Sequence, residues 1–185
     1  MATTELRTAR LRLRPLRLGD APALFAWRGD AETMRWWDWP APENVGEVED
    51  VIVGHAGERE AGATLWWAMA RRSDKRLIGE CDLSEIDHHH RRAELGFIVA
   101  RDVWRQGYGL EAMSAVVDHA FGTLGLERLA ARVHDGNIAS QKLLERLGFA
   151  YEGRMVGAVL RDGARRDCLI FGLLKFPSAP SSPRK

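Results

Sequence analysis

The chain has 185 residues, of which 45% are hydrophobic and 29% are charged, as in ordinary soluble globular proteins. Its 27 basic side chains nearly balance 26 acidic ones, and the net charge of +1 argues against a nucleic-acid partner. Cys81 and Cys168 make neither a disulfide framework nor a metal site, and no apolar run approaches the ~18 residues of a membrane span. The first residues lack the basic start and apolar stretch of an export signal. We therefore expect a cytoplasmic protein with one domain over 8–175 and a flexible tail over 176–185.

The first half of the chain contains several strand patterns and two helical patterns. Arg10 to Leu16 alternates arginine with leucine, which is the period-two pattern of a half-buried strand. A helix follows, with Asp20 as the expected N-cap and Pro22 in its first turn. We further expect a helix over 42–55 and strands over 64–71, 76–84 and 92–99.

The second half predicts two more helices and three more strands. Apolar residues from Met113 to Leu124 recur every three to four positions, which predicts an amphipathic helix over 109–124 that ends at Gly125. A strand over 128–133, a helix over 138–147 and a final strand pair from Tyr151 complete the pattern. The alternation of both element types predicts an α/β (α+β) fold.

The turn before the third helix has the composition of a phosphate-binding turn. The run Gly107-Tyr108-Gly109-Leu110-Glu111-Ala112 places two glycines where a strand leads into a helix. Glycine lets the backbone approach a ligand closely, and the helix N-terminus offers unpaired N–H groups and the positive end of its dipole. The run also fits the dinucleotide fingerprint G-x-G-x-x-A. However, Glu127 precedes the next strand instead of ending it, so a dinucleotide is the weaker alternative.

A second motif lies at the helix over 138–147, with Asn137-x-x-Ser140 at its start and Leu147-Gly148-Phe149 at its end. Together with Trp104 to Ala112, it resembles the Gcn5-related N-acetyltransferase (GNAT) superfamily and, within it, the branch of the ribosomal-protein N-terminal acetyltransferases RimJ and RimL. The similarity extends from about Thr8 to Leu174 and includes further motifs at 9–16, 19–21, 77–79, 94–97 and 152–154. It implies a mixed, mostly antiparallel twisted sheet with a splayed central strand pair and helices on both faces.

The resemblance implies acetyl-CoA as the co-substrate. Backbone N–H groups of the turn would hold the pyrophosphate, and the end of the strand over 92–99 would pair with the pantetheine arm as an added strand does. Arg105 stands where the family usually has glycine, so its backbone angle is an open question. The implied cofactor-binding residues are Phe97, Ile98, Val99, Arg105, Gln106, Gly107, Tyr108, Gly109, Leu110, Asn137 and Ser140.

Two residues are candidates for the proton transfers. By resemblance, Ser140 would touch the sulfur and give a proton to the departing thiolate; a water is the alternative, because Leu144 replaces the tyrosine that many members use. Direct transfer requires a neutral amine, and Glu94 on the central strand is the candidate base, directly or through water. A structural ion pair is the alternative role of Glu94, and Glu80, Asp82 and Asp38 are reserve candidates.

The acceptor is expected to bind an aromatic segment. Trp36, Trp37 and Trp39 lie in the segment that, by resemblance, lines the acceptor site, and core packing or a dimer contact is the alternative. The three histidines over 88–90 are neighbours in a turn and point in different directions, so we expect a solvated hairpin tip and no metal.

These features together predict an acetyl-CoA-dependent N-acetyltransferase that acts on a primary amine of a peptide or small molecule by direct attack in a ternary complex. No nucleic-acid or membrane partner is expected, and a homodimer stays open. A non-catalytic acyl-CoA-binding regulatory module is the alternative function.

Overall fold

A computed structural model describes residues 4–60 and 62–175, and the tail predicted over 176–185 lies outside the described residues. In the described part the strands are β1 (Leu6–Arg7), β2 (Leu11–Arg14), β3 (Leu65–Arg71), β4 (Leu77–Asp87), β5 (Arg92–Val99), β6 (Arg128–His134), β7 (Ala150–Arg161) and β8 (Ala164–Leu174). The α-helices are α1 (Ala21–Arg28), α2 (Val45–Glu60), α3 (Tyr108–Gly122) and α4 (Ile138–Arg146).

All eight strands join one sheet in the order β1-β2-β3-β4-β5-β6-β8-β7. Every neighbouring pair is antiparallel except β5 and β6, which are parallel and are connected through α3. The predicted mixed, mostly antiparallel sheet is therefore confirmed.

The central parallel pair is splayed. β5 and β6 are paired only at Arg92–Arg128, Ala93–Leu129 and Glu94–Ala130. Beyond these positions β5 stays paired with β4 and β6 stays paired with β8. The strands therefore open into a cleft between 95–99 and 131–134, as the resemblance implied.

Helices cover both faces of the sheet, and two consecutive tryptophans of β3 demonstrate this. Side chains of consecutive strand residues point to opposite faces. Trp67 makes an edge contact with His119 of α3 at a centroid distance of 5.9 Å, whereas Trp66 stacks on His55 of α2 at 3.6 Å. α3 and α2 thus lie on opposite faces, and fully buried residues such as Leu13 and Met113 fill the space under them.

The predicted capping role of Asp20 is wrong, although Asp20 directly precedes α1. Its side chain makes no capping hydrogen bond. Both carboxylate oxygens instead accept from Arg14 at 2.7 Å, and one also accepts the backbone N–H of Arg17 at 2.9 Å. A bidentate pair with a guanidinium adds a second charge and a second hydrogen bond to what one carboxylate–N–H cap supplies, so the contact with β2 takes the place of the cap.

Candidate active site

The turn between β5 and α3 has a left-handed backbone at two positions. Gly107 has φ 81°, and Arg105 has φ 61°, which is unusual for a residue with a Cβ. α3 begins directly after Gly107, so its first N–H groups, which an α-helix leaves without intrahelical partners, lie at the turn. Arg105 therefore adopts a backbone conformation that glycine takes without strain.

Arg10 holds this turn from the neighbouring sheet edge. Its guanidinium donates to the carbonyl oxygen of Gln106 at 2.9 Å and to the carboxylate of Glu111 at 2.6 Å, and it lies over the Tyr108 ring. The Thr8 hydroxyl donates to the same carboxylate at 2.6 Å. Partial burial raises the pKa of Glu111, but the hydrogen bonds from Thr8 and Arg10 outweigh it, and the pKa is lowered overall.

A cavity of about 560 Å³, here called the turn-side cavity, lies between this turn, the end of β5 and α4. Every residue predicted for the co-substrate borders it except Gln106, whose side chain donates to the carbonyl oxygen of Asp102 at 3.3 Å. The basic side chains of Arg105, Lys142 and Arg146 also border it. A helix N-terminus with three nearby cations provides the electrostatics that a phosphate ligand requires.

A smaller cavity of about 270 Å³, here called the strand-side cavity, lies in the cleft between β5 and β6. Acidic, aromatic and small polar residues border it, among them Trp39, Trp66, Asp82, Ser84, Glu94, Arg132, His134 and Cys168. The two cavities share five bordering residues, which are Trp36, Trp37, Phe97, Asn137 and Ser140. Ser140 thus lies where the two cavities meet.

Asn137 and Ser140 are fixed to each other at the start of α4. The Asn137 side-chain oxygen accepts the backbone N–H of Ser140 at 3.2 Å, so Asn137 is the N-cap of this helix as well as a cavity residue. This backbone bond leaves the Ser140 hydroxyl available for a ligand. Leu144, one turn later, is fully buried in the core and also borders the strand-side cavity.

Glu94 borders the strand-side cavity but carries an ion pair. Its carboxylate accepts from Nε of Arg132 at 2.8 Å, and this hydrogen bond raises the pKa of Arg132. Among the reserve candidates, Glu80 is fully buried and paired with Arg28 of α1, whereas Asp82 is buried at the edge of the cavity.

A pair that the sequence analysis did not predict lies in the same cavity. Nε2 of His134, at the end of β6, lies 2.7 Å from Oδ1 of Asp38. His134 is only 4% exposed, and a hydrogen bond from it lowers the pKa of Asp38. The two residues are 96 positions apart, so no spacing pattern indicates the pair.

The tryptophan segment forms one wall of both cavities. Trp36 and Trp37 border both, and Trp39 borders only the strand-side cavity and is 71% exposed. Arg161, at the end of β7, donates to the carbonyl oxygens of Trp37 and Trp39 and so anchors the segment. The histidines over 88–90 are exposed, and the described residues contain no cluster of three ligands that could hold a metal.

Comparison with known proteins identifies the family. Residues 10–150 match the family model of the acetyltransferase (GNAT) domain. The chain belongs to the GNAT family. It is therefore an acyltransferase. N-acetyltransferase YoaA of Bacillus subtilis (strain 168) is 32% identical to this chain, and the match covers 92% of this chain and 96% of YoaA.

Two solved GNAT structures have the same fold. Mycobacterium smegmatis RimJ in complex with CoA-disulfide superposes with a TM-score of 0.83 at 24% identity, covering 97% of this chain and 93% of RimJ. Spermidine N-acetyltransferase of Vibrio cholerae in complex with CoA and spermine superposes with a TM-score of 0.79 at 25% identity. The match covers 90% of this chain and 96% of the spermidine N-acetyltransferase. The predicted GNAT membership is therefore confirmed, and the likeness to RimJ shows the same fold. None of the helices in residues 4–60 and 62–175 is both long and apolar enough to span a membrane.

Proposed function

We propose that this GNAT protein transfers the acetyl group of acetyl-CoA to a primary amine by direct attack in a ternary complex. The observation that carries the proposal is the meeting of the two cavities at Ser140. One cavity has the shape and charge for a nucleotide thiol ester, and the other is acidic and aromatic, as an amine requires. A thioester that enters from the turn side would present its carbonyl carbon to an amine on the strand side.

The turn-side cavity fits acetyl-CoA group by group. The pyrophosphate would lie at the N–H groups of Tyr108, Gly109 and Leu110, with Arg105 and Lys142 as nearby cations. The pantetheine arm would pair with the backbone of 97–99 inside the cleft, in the manner of an added strand. Acetyl-CoA thus enters as a co-substrate, and no metal is required.

Ser140 is the proposed proton donor to the departing thiolate. As the amine nitrogen bonds to the carbonyl carbon, the C–S bond breaks and negative charge collects on sulfur. A hydroxyl at the boundary of the two cavities would strengthen its hydrogen bond as this charge develops, which lowers the barrier. Asn137 would contact the pantetheine arm with its amide N–H₂ while its oxygen caps α4.

The acceptor class remains a primary amine of a peptide or a small molecule, and Trp36, Trp37 and Trp39 are the proposed walls of its site. Aromatic walls favour the neutral, nucleophilic amine and can also hold a cation by its face. Glu94 remains the sequence-derived candidate for the base, although its pairing with Arg132 favours a structural role.

The proposal is tested with a panel of primary amines, with free CoA thiol as the readout. Steady release of CoA with at least one amine is expected, and Ser140→Ala should lower kcat about 10- to 100-fold with acetyl-CoA affinity within twofold of wild type. Ser114→Ala in α3 is the matched control, because Ser114 borders neither cavity. Acetyl-CoA binding without CoA release from any amine would instead identify a non-catalytic acyl-CoA-binding module.

A further inference from the structure

We propose that His134, held by Asp38, takes the proton from the acceptor amine. This inference rests on the proposed function and names a group that the sequence analysis did not identify. Three observations support it: the His134–Asp38 hydrogen bond, the unpaired second nitrogen of the ring, and the position of both residues at the strand-side cavity.

The Asp38 carboxylate determines which nitrogen carries the proton. An aspartate carboxylate is ordinarily ionised near neutral pH, and the hydrogen bond with His134 lowers the pKa of Asp38 further, so this carboxylate can only accept. Nε2 of His134 must therefore donate. In the neutral ring, Nδ1 then keeps a lone pair, and this tautomer is the one that a base requires.

Nδ1 is buried and has no hydrogen-bond partner among the described residues. A buried polar atom without a partner lowers stability, and native structures usually pair such atoms with a ligand or a bound water. His134 itself is 96% buried, borders the cavity, and makes an edge contact with the Trp36 ring at a centroid distance of 6.5 Å. A substrate amine, or one water between amine and ring, would supply the missing partner.

Three other titratable candidates are less suited to the role. Glu94 would have to break its charged hydrogen bond with Arg132. Burial raises the pKa of Cys168, opposite His134 on β8, so its thiol stays protonated. Glu80 is buried with Arg28 and does not border the cavity.

The proton balance of the step is complete. The amine lone pair forms the C–N bond, and the C–S bond breaks with its electron pair going to sulfur. The excess N–H proton passes to Nδ1 of His134, directly or through one water, while Ser140 protonates the thiolate. Asp38 stays ionised and stabilises the imidazolium, which later releases its proton to solvent. Ser140 takes back a proton from solvent, so that overall one proton leaves the amine and one is gained by the CoA thiol.

The test compares His134→Gln with His119→Gln. His119 is an equally buried histidine on the opposite face of the sheet, so His119→Gln controls for the loss of a buried ring. His134→Gln keeps an N–H donor for Asp38 but cannot take up a proton. We expect its amine kcat/KM to fall about 100-fold or more, with the acetyl-CoA-induced shift in melting temperature unchanged, whereas the control stays within threefold of wild type.

Chemical rescue separates a base from a packing residue. In His134→Gly, imidazole and substituted imidazoles of similar size should restore activity in proportion to their basicity. Equal rescue by all of them, or His134→Gln activity within threefold of wild type, would overturn the inference. If His134→Gln fails to fold, Asp38→Asn tests the inference instead, because the Asp38 side chain is 44% exposed and its substitution should be tolerated. This variant should lower the amine kcat/KM at least 10-fold.

Failure of this inference differs from failure of the proposed function. A wild-type protein that releases CoA with an amine, together with an equally active His134→Gln variant, overturns only the role of His134. A wild-type protein that releases no CoA with any amine of the panel overturns both.

Discussion

Arg10 lies 101 positions before Glu111 and donates to its carboxylate through both its backbone N–H, at 2.7 Å, and its guanidinium, at 2.6 Å. The sheet edge is thereby tied to the first turn of α3. The same guanidinium donates to the carbonyl oxygen of Gln106 in the preceding turn. Arg10 thus fixes the segment whose N–H groups are proposed to bind pyrophosphate, although it does not border the cavity itself.

Arg10→Ala should weaken acetyl-CoA binding with little effect on kcat. A charged hydrogen bond of a half-exposed side chain contributes about 1 kcal/mol, which corresponds to roughly fivefold in Kd. Titration calorimetry measures this directly. Arg12→Ala is the control, because Arg12 lies two residues away on β2 and pairs with Glu5, away from the turn. Equal acetyl-CoA Kd values for both variants would contradict the proposed role of Arg10 in fixing the turn before α3.

Arg105→Gly should separate backbone strain from phosphate contact. A left-handed residue with a Cβ is strained by roughly 1–2 kcal/mol. Glycine removes this strain but loses more backbone entropy on folding, so we expect the free energy of unfolding to rise by about 0.5 kcal/mol. Lys75→Gly is the matched control, since Lys75 has the same φ of 61° in the turn between β3 and β4. If the Arg105 guanidinium contacts phosphate, only Arg105→Gly should also raise the acetyl-CoA Kd. Denaturant unfolding and calorimetry distinguish the two effects.

Glu94→Gln tests whether this carboxylate is a base or an ion-pair partner. Because Arg132 already occupies it, we expect the amine KM to rise a few-fold while kcat stays within about threefold of wild type. Arg132→Gln should behave similarly, since it removes the other member of the pair. A fall in kcat of about 100-fold for Glu94→Gln alone would assign the base to Glu94 and contradict the role of His134.

Local patterns predicted the elements that carry the co-substrate site. Two glycines between a buried strand and an amphipathic helix form a pattern of about a dozen residues that predicts the turn and the helix after it. α3 begins one residue before the predicted start. The splayed pairing of β5 and β6 followed from the family resemblance, since strand pairing over 36 positions has no local signature.

Side-chain pairings that form only in the folded chain could not be predicted in this way. Asp20 has the residue type of an N-cap, but Arg14 of β2 competes for its carboxylate with two charged hydrogen bonds. His134 and Asp38 meet only because β6 ends beneath the tryptophan segment. A histidine one residue after an apolar strand pattern, six residues before Ser140, was the weak signal that could have indicated it.

His55 should make the protein less stable in mild acid. Burial against Trp66 lowers the pKa of His55 to about 4, from 6.5 in the unfolded chain, with Arg28 as a second cause. Between these two pH values the unfolded state binds more protons than the folded state. The contribution of His55 to the free energy of unfolding is therefore fully present above about pH 6.5 and is lost as the pH falls towards 4. The loss at pH 5 is about 2 kcal/mol.

Denaturant unfolding at pH 7 and pH 5 measures this loss. His55→Phe keeps a ring against Trp66 and should remove most of the difference between the two pH values. His88→Phe, at an exposed histidine, should leave the difference unchanged. Identical pH dependence of wild type and His55→Phe would show that other groups cause the acid sensitivity.

The three tryptophans of the proposed acceptor wall should respond differently to alanine substitution, because their exposures and neighbours differ. Trp39 is 71% exposed and borders only the strand-side cavity, so Trp39→Ala should raise the amine KM and change stability by less than about 0.5 kcal/mol. Trp37 is half-buried and packs against the core, so Trp37→Ala should cost about 2 kcal/mol of stability. Trp36 borders both cavities and should affect both amine KM and acetyl-CoA Kd.

Steady-state kinetics with the best amine of the panel, together with unfolding of each variant, tests this ordering. The contrast between Trp39→Ala and Trp37→Ala is the decisive one, because each serves as the control for the other. If all three variants only lose stability and keep the wild-type amine KM, the tryptophan segment serves to pack the core and does not contact the amine. The acceptor wall would then be sought along Leu65 to Trp67 of β3, where Trp66 borders the same cavity.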